Sequence, residues 1–339
     1  MWLALVSSLL VSLAITWSAL RPDSRLVHTD IPNHRSLHTQ ATRSGGGVGI
    51  VLGCVAGGAV LTGIGAPSYT VGFLVAAALA LAVAGYIDDR QALAAPTRLI
   101  IHIAVAVAVI LAGPKLNSFA LGDFNFDFPW WLAGIFTGLF VCWMINLYNF
   151  MDGMDGLAAT MAVVGFGTLG WLGFTHGDEV FAGVAWIISA SSLGFLMFNF
   201  PPARIFMGDT GSTALGYAAA VMLLWADQAA IAPFWIGILI FSPFIVDSTT
   251  TLVWRGLAGE RLWEAHKTHY YQRLIGLGWS HRYTLLAETA LMLACAVTAV
   301  TVLNQSPPIQ WLTVALWLAI YPILMYSVHR MEASSPRKS

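Results

Sequence analysis

Four oxygen-bearing side chains recur at three-residue spacing after a long apolar segment. They are two amides followed by two carboxylates: Asn146, Asn149, Asp152 and Asp155. On a helical turn, residues three apart occupy neighbouring positions of one face. Such oxygens beside a bilayer-spanning segment suit a hard cation such as Mg2+, which keeps several waters and is usually shared with substrate phosphates. The simpler alternative is a helix end followed by an Asp-Gly turn.

Two further acidic clusters adjoin apolar segments. Asp88 and Asp89 end one segment, and adjacent carboxylates at membrane depth need a metal or a cation to stay charged together. The alternative is a charged helix end neutralised by Arg90. The residues 206–212 open another apolar segment, where free backbone N–H groups could bind an anion. Asp209 there could cap the helix, or hold a metal that bridges to a phosphate.

The histidines fall into two groups. His266 and His269 lie three residues apart in a basic loop, where imidazoles and cations could hold phosphate oxygens. A zinc site built from these two alone is disfavoured, since no third and fourth ligand is suitably spaced. His102 lies inside an apolar segment, which favours a packed or interhelical hydrogen-bonding role.

The composition indicates that these clusters belong to a membrane protein. Of 339 residues, 58% are hydrophobic and 10% are charged, which is more apolar surface than a soluble domain can bury. The formal net charge of -1 and the lack of a basic block exclude a nucleic-acid-binding protein. The three cysteines lie in apolar segments without metal-ligand spacing: Cys54, Cys142 and Cys295.

The apolar segments predict an all-α polytopic membrane protein that forms a single domain over residues 1–339. About 20 residues cross a bilayer as a helix. We predict eleven transmembrane helices, or ten because two segments are short: 2–20, 46–64, 71–87, 99–112, 130–150, 157–174, 180–198, 212–225, 231–254, 283–303 and 309–328. Residues 116–128 alternate apolar and polar side chains and predict a hairpin. In the second helix, Gly49, Gly53 and Gly57 predict close packing against a neighbour.

Basic residues set the expected orientation, because short cytoplasmic loops hold most Lys and Arg. They follow the odd-numbered helices, and Lys115 is the one basic residue among sixteen on the other side. The N-terminus is therefore expected outside and the C-terminus in the cytoplasm. With this topology all four polar clusters meet the cytoplasmic face.

These motifs together resemble a known family. Asp88-Asp89, the Asn146 to Leu157 motif, Phe206-Met-Gly-Asp209-x-Gly-Ser212 and His266-x-x-His269, in this order, are similar to the polyprenyl-phosphate N-acetylhexosamine-1-phosphate transferases (bacterial glycosyltransferase family 4). That family includes enzymes that start O-antigen, common-antigen and teichoic-acid linkage units, and the phospho-MurNAc-pentapeptide translocase. The residues Asp30-x-Pro-Asn33-x-Arg35-x-x-His38 also resemble the family's first cytoplasmic loop. The histidine loop departs from the denser His-Arg-x-His-His pattern of some members.

The resemblance implies a reaction and a place for it. Undecaprenyl (polyprenyl) phosphate would attack the β-phosphate of a UDP-N-acetyl-sugar, giving polyprenyl-diphospho-sugar and UMP at the bacterial inner (cytoplasmic) membrane. This would be the first membrane step of O-antigen or a related lipopolysaccharide or cell-envelope polysaccharide. The resemblance implies Mg2+, with Mn2+ as a substitute, in a multi-pass protein that spans the bilayer, and it leaves a homodimer open.

The resemblance also implies roles for individual residues. Asn149 and Asp209 would hold Mg2+. Asp88 and Asp89, with Asp209, would be catalytic by orienting or deprotonating the lipid phosphate or by supporting the metal. The other motif residues would contact the substrates: Asn146, Asp152, Asp155, Arg98, Arg204, His266 and His269.

Three alternatives stay open at this point. A secondary transporter of an anionic solute would have broken helices and ionisable residues near the bilayer midplane. A phosphatase of the same lipid carrier would not need the nucleotide-facing cluster. Within the family, the sugar could be GlcNAc or a deoxy relative such as FucNAc or QuiNAc, and the pentapeptide translocase is disfavoured by the histidine loop.

Overall fold

The computed structural model describes residues 1–32, 37, 40–63, 69–261 and 266–334, and these are mostly helical. The motif residues Asn33, Arg35 and His38 lie outside the described residues. The helices are α1 (Trp2–Ala19), α2 (Gly47–Thr62), α3 (Tyr69–Gln91), α4 (Ala95–Ala112), α5 (Trp130–Phe150), α6 (Leu157–His176), α7 (Glu179–Asn199), α8 (Asp209–Gln228), α9 (Phe234–Ile240), α10 (Ser242–Leu257), α11 (Tyr270–Gly276), α12 (His281–Val302) and α13 (Pro307–Ser334).

A helix lies at each of the eleven predicted spans, but their lengths differ from the prediction. Within the described residues, eight helices are long and apolar enough to cross a membrane. The ninth predicted span is broken into α9 and α10, which meet at an angle of 82°. Pro243, in the first turn of α10, lacks the N–H that would continue one helix through this point. Counting the bent pair gives up to nine spans, so eleven spans and their orientation stay predictions.

Within the described part of the chain, two small sheets lie outside the spans, and one of them was not predicted. β1 (His28–Asp30) pairs antiparallel with β2 (Thr42–Ser44), which pairs in parallel with β5 (Ile205–Phe206). This pairing joins the first loop to the segment before α8. The predicted hairpin is confirmed, since β3 (Ser118–Leu121) pairs antiparallel with β4 (Phe124–Asp127).

The glycine stripe of α2 packs against α1 as predicted. A Cβ on Gly53 would lie 2.8 Å from the Ser8 carbonyl oxygen, and one on Gly57 would lie 3.0 Å from the Ala4 carbonyl oxygen. Serines of α1 also reach α7, because the Ser12 hydroxyl donates to the Ser191 carbonyl at 2.7 Å. Small residues and interhelical hydrogen bonds are the usual means of joining helices in a bilayer.

The buried centre of the molecule consists mainly of α5, α6, α7 and α8. The C-terminal ends of α3 and α5 meet the N-terminal ends of α4, α6 and α8 at one end of the bundle, as the hydrogen bonds described below show. Each of these ends carries a residue of the predicted clusters. The fold therefore gathers at one end the polar groups that the sequence spreads over a long stretch of chain.

Candidate functional site

Asp89 at the end of α3 binds the beginning of α8. Its Oδ1 accepts the Asp209 backbone N–H at 2.7 Å, and its Oδ2 accepts both the N–H and the hydroxyl of Thr210, at 3.2 and 2.7 Å. The N-terminal end of a helix favours negative charge, and a carboxylate satisfies its free N–H groups. The predicted anion site at this helix start is therefore wrong, since the side chain of Asp89 occupies it.

Asp209 is the first residue of α8, and its side chain does not cap the helix. Its Oδ1 accepts a hydrogen bond from the Asn149 amide at 2.7 Å, and the same amide donates to the Ser212 hydroxyl at 3.0 Å. Asn149 stands one residue before the end of α5. The two residues predicted to hold a metal are thus in direct contact.

Arg98 lies between two carboxylates at the start of α4. Its Nε is 3.4 Å from Asp88 Oδ2, and its Nη1 is 3.8 Å from Asp209 Oδ2. Asp88 is buried and also accepts the Leu93 N–H at 2.7 Å. The cation that balances Asp88 is therefore Arg98. Arg90, the alternative partner, instead donates to the Arg25 carbonyl.

Asp152 lies in the turn between α5 and α6, close to other negatively charged side chains. Burial raises the pKa of Asp152 well above its usual range, and the charges of Asp209 and Asp89 add to this effect. A hydrogen bond from the Gly208 backbone N–H opposes the shift. The turn therefore brings a further carboxylate to the α3–α8 junction, beside Asp88, Asp89 and Asp209, where a bound cation would relieve the repulsion.

A small cleft opens beside these carboxylates. Its polar lining consists of Asp88, Arg98, His102, Asp209 and Thr213. His102 is 6% exposed, interacts with the Asn146 side chain on α5, and leaves Nδ1 without a partner. His102 is packed in the interior as predicted, but the residue also lines the cleft. Asn146, which donates to the Cys142 carbonyl at 2.7 Å, lies one turn deeper than Asn149.

Asp155 and Arg204 lie apart from the carboxylate cluster. Asp155 Oδ2 accepts the Ala203 N–H at 2.9 Å, and its Oδ1 is 3.2 Å from His281 Nδ1 at the start of α12. Exposed Arg204 places its guanidinium 5.7 Å from the Phe198 ring. No ion pair among the described residues joins Arg204 to the cluster. The two therefore form a second edge of the site.

The histidine loop lies against the end of α5. The His269 ring stacks on Phe150 at 6.4 Å, and the Tyr271 hydroxyl donates to the Phe150 carbonyl at 3.2 Å. His266 lies 4.8 Å from His269, measured between ring centroids. Burial, and then the charges of His269 and Arg255, lower the pKa of His266 to about 4. His266 is therefore neutral at pH 7 in the absence of a bound anion.

The residues present fit a hard divalent cation. The donors are the carboxylates of Asp209 and Asp152 and the side-chain oxygen of Asn149, which is the oxygen set that Mg2+ prefers. Asn149 presents its N–H to Asp209, and a half-turn of the amide would present its oxygen instead. Among the described residues no three His, Cys, Asp or Glu side chains form a metal cluster, and this donor set includes the amide of Asn149.

Sequence reasoning missed one residue of this site. Asp247, in the apolar part of α10, accepts hydrogen bonds from His269 and from the start of α11. A carboxylate within an apolar span is costly unless it has partners, and this alone could have marked Asp247.

The chain matches known proteins over most of its length. Residues 71–227 match the model of glycosyl transferase family 4. A probable undecaprenyl-phosphate N-acetylglucosaminyl 1-phosphate transferase of Bacillus subtilis is 30% identical over 95% of this chain and 88% of its own length. A decaprenyl-phosphate N-acetylglucosaminephosphotransferase of Mycobacterium tuberculosis is 30% identical over 84% of this chain and 78% of its own. A phospho-N-acetylmuramoyl-pentapeptide-transferase of Lactobacillus delbrueckii is 27% identical over 81% and 88%.

Proposed function

The chain belongs to the polyprenyl-phosphate hexosamine-1-phosphate transferases of glycosyl transferase family 4, and from this premise we propose that it transfers N-acetylglucosamine 1-phosphate from UDP-N-acetylglucosamine to undecaprenyl phosphate. An oxygen of the lipid phosphate attacks the β-phosphorus of the donor. The bond from that phosphorus to the oxygen bridging to the α-phosphate breaks, and UMP leaves with this oxygen. The products are UMP and undecaprenyl-diphospho-N-acetylglucosamine.

One set of contacts supports the proposal: the guanidinium of Arg98 lies 3.4 Å from Asp88 and 3.8 Å from Asp209, and Asp209 in turn accepts a hydrogen bond from Asn149. Phosphoryl transfer depends mainly on positioning and on stabilising charge. Arg98 can donate to phosphate oxygens while Asp88 and Asp209 keep it in place. The cleft that they line is the place where two phosphates would meet.

Asp209 and Asn149 would hold Mg2+, with Asp152 as a further carboxylate nearby. When bound, the ion would neutralise diphosphate charge and orient the reacting groups. Asp89 fixes the position of Asp209 through the backbone, because both of its oxygens are bonded to the start of α8. The lipid phosphate is largely ionised at neutral pH, so its attack needs no residue to remove a proton.

The donor would lie between the cluster and the histidine loop. His269 and His266 would contact its diphosphate, and Asp155 and Arg204 would form the edge where the nucleoside or sugar binds. Asn146 supports the cleft through His102. These assignments follow the family motif residue by residue, together with the contacts described above.

N-acetylglucosamine is proposed as the sugar because two relatives with that specificity in their names are 30% identical to the chain. The pentapeptide-transferase relative is 27% identical, and the pentapeptide reading is a less good fit. The break between α9 and α10 is a feature that a transporter would share, but membership of the family decides against that reading. The protein is multi-pass, and we place its reaction at the cytoplasmic face of the bacterial inner membrane, as the first membrane step of a cell-envelope polysaccharide.

The test is the release of UMP by purified protein in detergent. Undecaprenyl phosphate would be combined with UDP-GlcNAc, UDP-FucNAc, UDP-QuiNAc or UDP-MurNAc-pentapeptide, with Mg2+, Mn2+ or a chelator. UMP that appears with UDP-GlcNAc only when both lipid and metal are present would support the proposal. UMP with another donor would change the sugar, and no UMP from folded protein would overturn the function.

A further inference from the structure

Asp247 is a buried carboxylate in α10 that the proposed reaction does not yet use. Its Oδ1 accepts the Tyr270 backbone N–H at 3.0 Å and the Thr251 hydroxyl at 3.1 Å, and lies 3.2 Å from His269 Nδ1. Its Oδ2 accepts the Tyr271 backbone N–H at 3.3 Å. A single side chain of α10 thus holds both the imidazole of His269 and the first turn of α11.

The contact with Asp247 bears on which nitrogen of His269 carries hydrogen. A carboxylate can only accept hydrogen bonds, so the 3.2 Å contact with Asp247 favours the tautomer that carries its hydrogen on Nδ1. Among the described residues none makes a hydrogen bond to Nε2, the nitrogen on the far side of the ring from Asp247. The ring stacks on Phe150 at 6.4 Å and on Tyr271 at 5.9 Å, and it is nearly parallel to Tyr271. These ring contacts, together with the contact to Asp247, restrict the orientation of the imidazole.

The same contacts join His269 to the carboxylate cluster. Tyr271 follows His269 by two residues, and its hydroxyl donates to the carbonyl of Phe150, the residue directly after Asn149. A Cβ on Gly153 would collide with this hydroxyl, so the turn that carries Asp152 lies directly against Tyr271. A displacement of α11 would therefore move both His269 and the turn that carries Asp152.

We propose that Asp247 is a positioning residue for the transfer reaction and that it acts through His269, by holding Nδ1 protonated and directing Nε2 to the diphosphate of the donor. The proposal rests on the proposed function for the identity of the donor. The orientation of His269 by Asp247 is a property of the protein alone and can be measured without turnover.

The kinetic test is a double-mutant cycle with Asp247→Asn and His269→Gln. The amide of Asp247→Asn keeps the size of the side chain but can donate to Nδ1, which favours the opposite tautomer. We expect the kcat of Asp247→Asn to fall by roughly 10–100-fold, as for other partners that orient a functional histidine. In the His269→Gln background the same change should cost little more, because its effect passes through the ring. Ser248→Ala, the next residue of α10, is the matched control and should retain activity.

The second readout is the tautomer itself. In 15N-histidine-labelled protein, with His269→Gln used to assign the signal, the wild type should show His269 with Nδ1 protonated, and Asp247→Asn should lose that signature. Asp247→Glu keeps the charge and should restore the tautomer and part of the activity; it replaces Asp247→Asn in the cycle if the latter does not fold. Equal losses in both backgrounds, or an unchanged tautomer, would overturn the proposal. Absence of UMP from the wild type would instead count against the proposed function, while the tautomer would still test Asp247.

Discussion

The carboxylate of Asp89 accepts the backbone N–H of Asp209 at 2.7 Å, which joins the end of α3 to the start of α8. One acidic residue thus fixes the position of another that is far away in sequence. The pairing leaves the side chain of Asp209 available to Asn149 and Arg98. Among the acidic residues of the motifs, Asp89 therefore positions the start of α8, and Asp209 directs its side chain into the site.

Asp89→Ala should reduce both stability and activity. It removes the acceptor for the first N–H groups of α8, and the loss of such a cap costs about 1 kcal/mol of the free energy of unfolding. Asp178→Ala is the matched control, because Asp178 caps α7 by accepting the Phe181 N–H at 2.9 Å. Denaturant unfolding and UMP release should show both variants destabilised and Asp89→Ala alone inactive. Full activity in Asp89→Ala would mean that α8 is held by other contacts.

Asp209→Asn should abolish turnover while the protein stays folded. The amide keeps the shape of the side chain but loses the charge that would hold a divalent cation and face Arg98. We expect a fall in kcat of roughly 1,000-fold or more, comparable to the loss of a charge-stabilising group at a transition state. Asp123→Asn, in the turn of the β3–β4 hairpin, removes a charge far from the site and should have no effect. Substantial turnover by Asp209→Asn would remove Asp209 from the reaction.

Gly85→Ala should disturb the site through packing alone. A Cβ on Gly85 would lie 2.5 Å from the Asp209 carbonyl oxygen, so α3 and α8 must move apart. Overpacking of this kind typically costs about 1–3 kcal/mol. Gly72→Ala adds the same methyl group to α3 where no atom lies within 4 Å. Thermal unfolding should separate the two variants, and equal melting temperatures would show that the α3–α8 contact is looser than described.

Donor binding should take up a proton at His266. The pKa of His266 is lowered to about 4 in the free protein, chiefly by burial. A diphosphate beside the ring would raise this pKa, because the anion favours imidazolium, so donor affinity should increase as pH falls from neutral. Titration calorimetry in buffers of different ionisation enthalpy measures the proton directly. A proton uptake that is the same in His266→Gln would place the donor away from His266.

The positions of the apolar helices were predictable because a bilayer fixes both the length and the apolar character of a crossing helix. The break between α9 and α10 was not predictable. A proline near a span can end a helix, bend it or leave it unbroken, depending on what packs around it. The parallel pairing of β2 with β5 joins segments distant in sequence, and short strands carry too little pattern to be paired from sequence.

The Asn146 to Asp155 cluster was predicted as one face, and the structure divides it. Asn146 and Asn149 do lie on α5, but the helix ends at Phe150, and Gly156 then adopts a φ of +76°. Three-residue spacing loses its meaning once the helix ends. Asp152 consequently faces the carboxylates, whereas Asp155 contacts Ala203 and His281. The residues were identified from sequence, but their division between two edges required the turn.

The most direct test of the proposed reaction follows the β-phosphate of the donor. UDP-GlcNAc labelled with 32P in the β-position would be incubated with protein, undecaprenyl phosphate and Mg2+, and the label followed in the lipid and aqueous phases. Phosphosugar transfer predicts that the label enters the lipid and that unlabelled UMP is released in equal amount. Label that stays in the aqueous phase as UDP, with the sugar alone moving to the lipid, would contradict phosphosugar transfer.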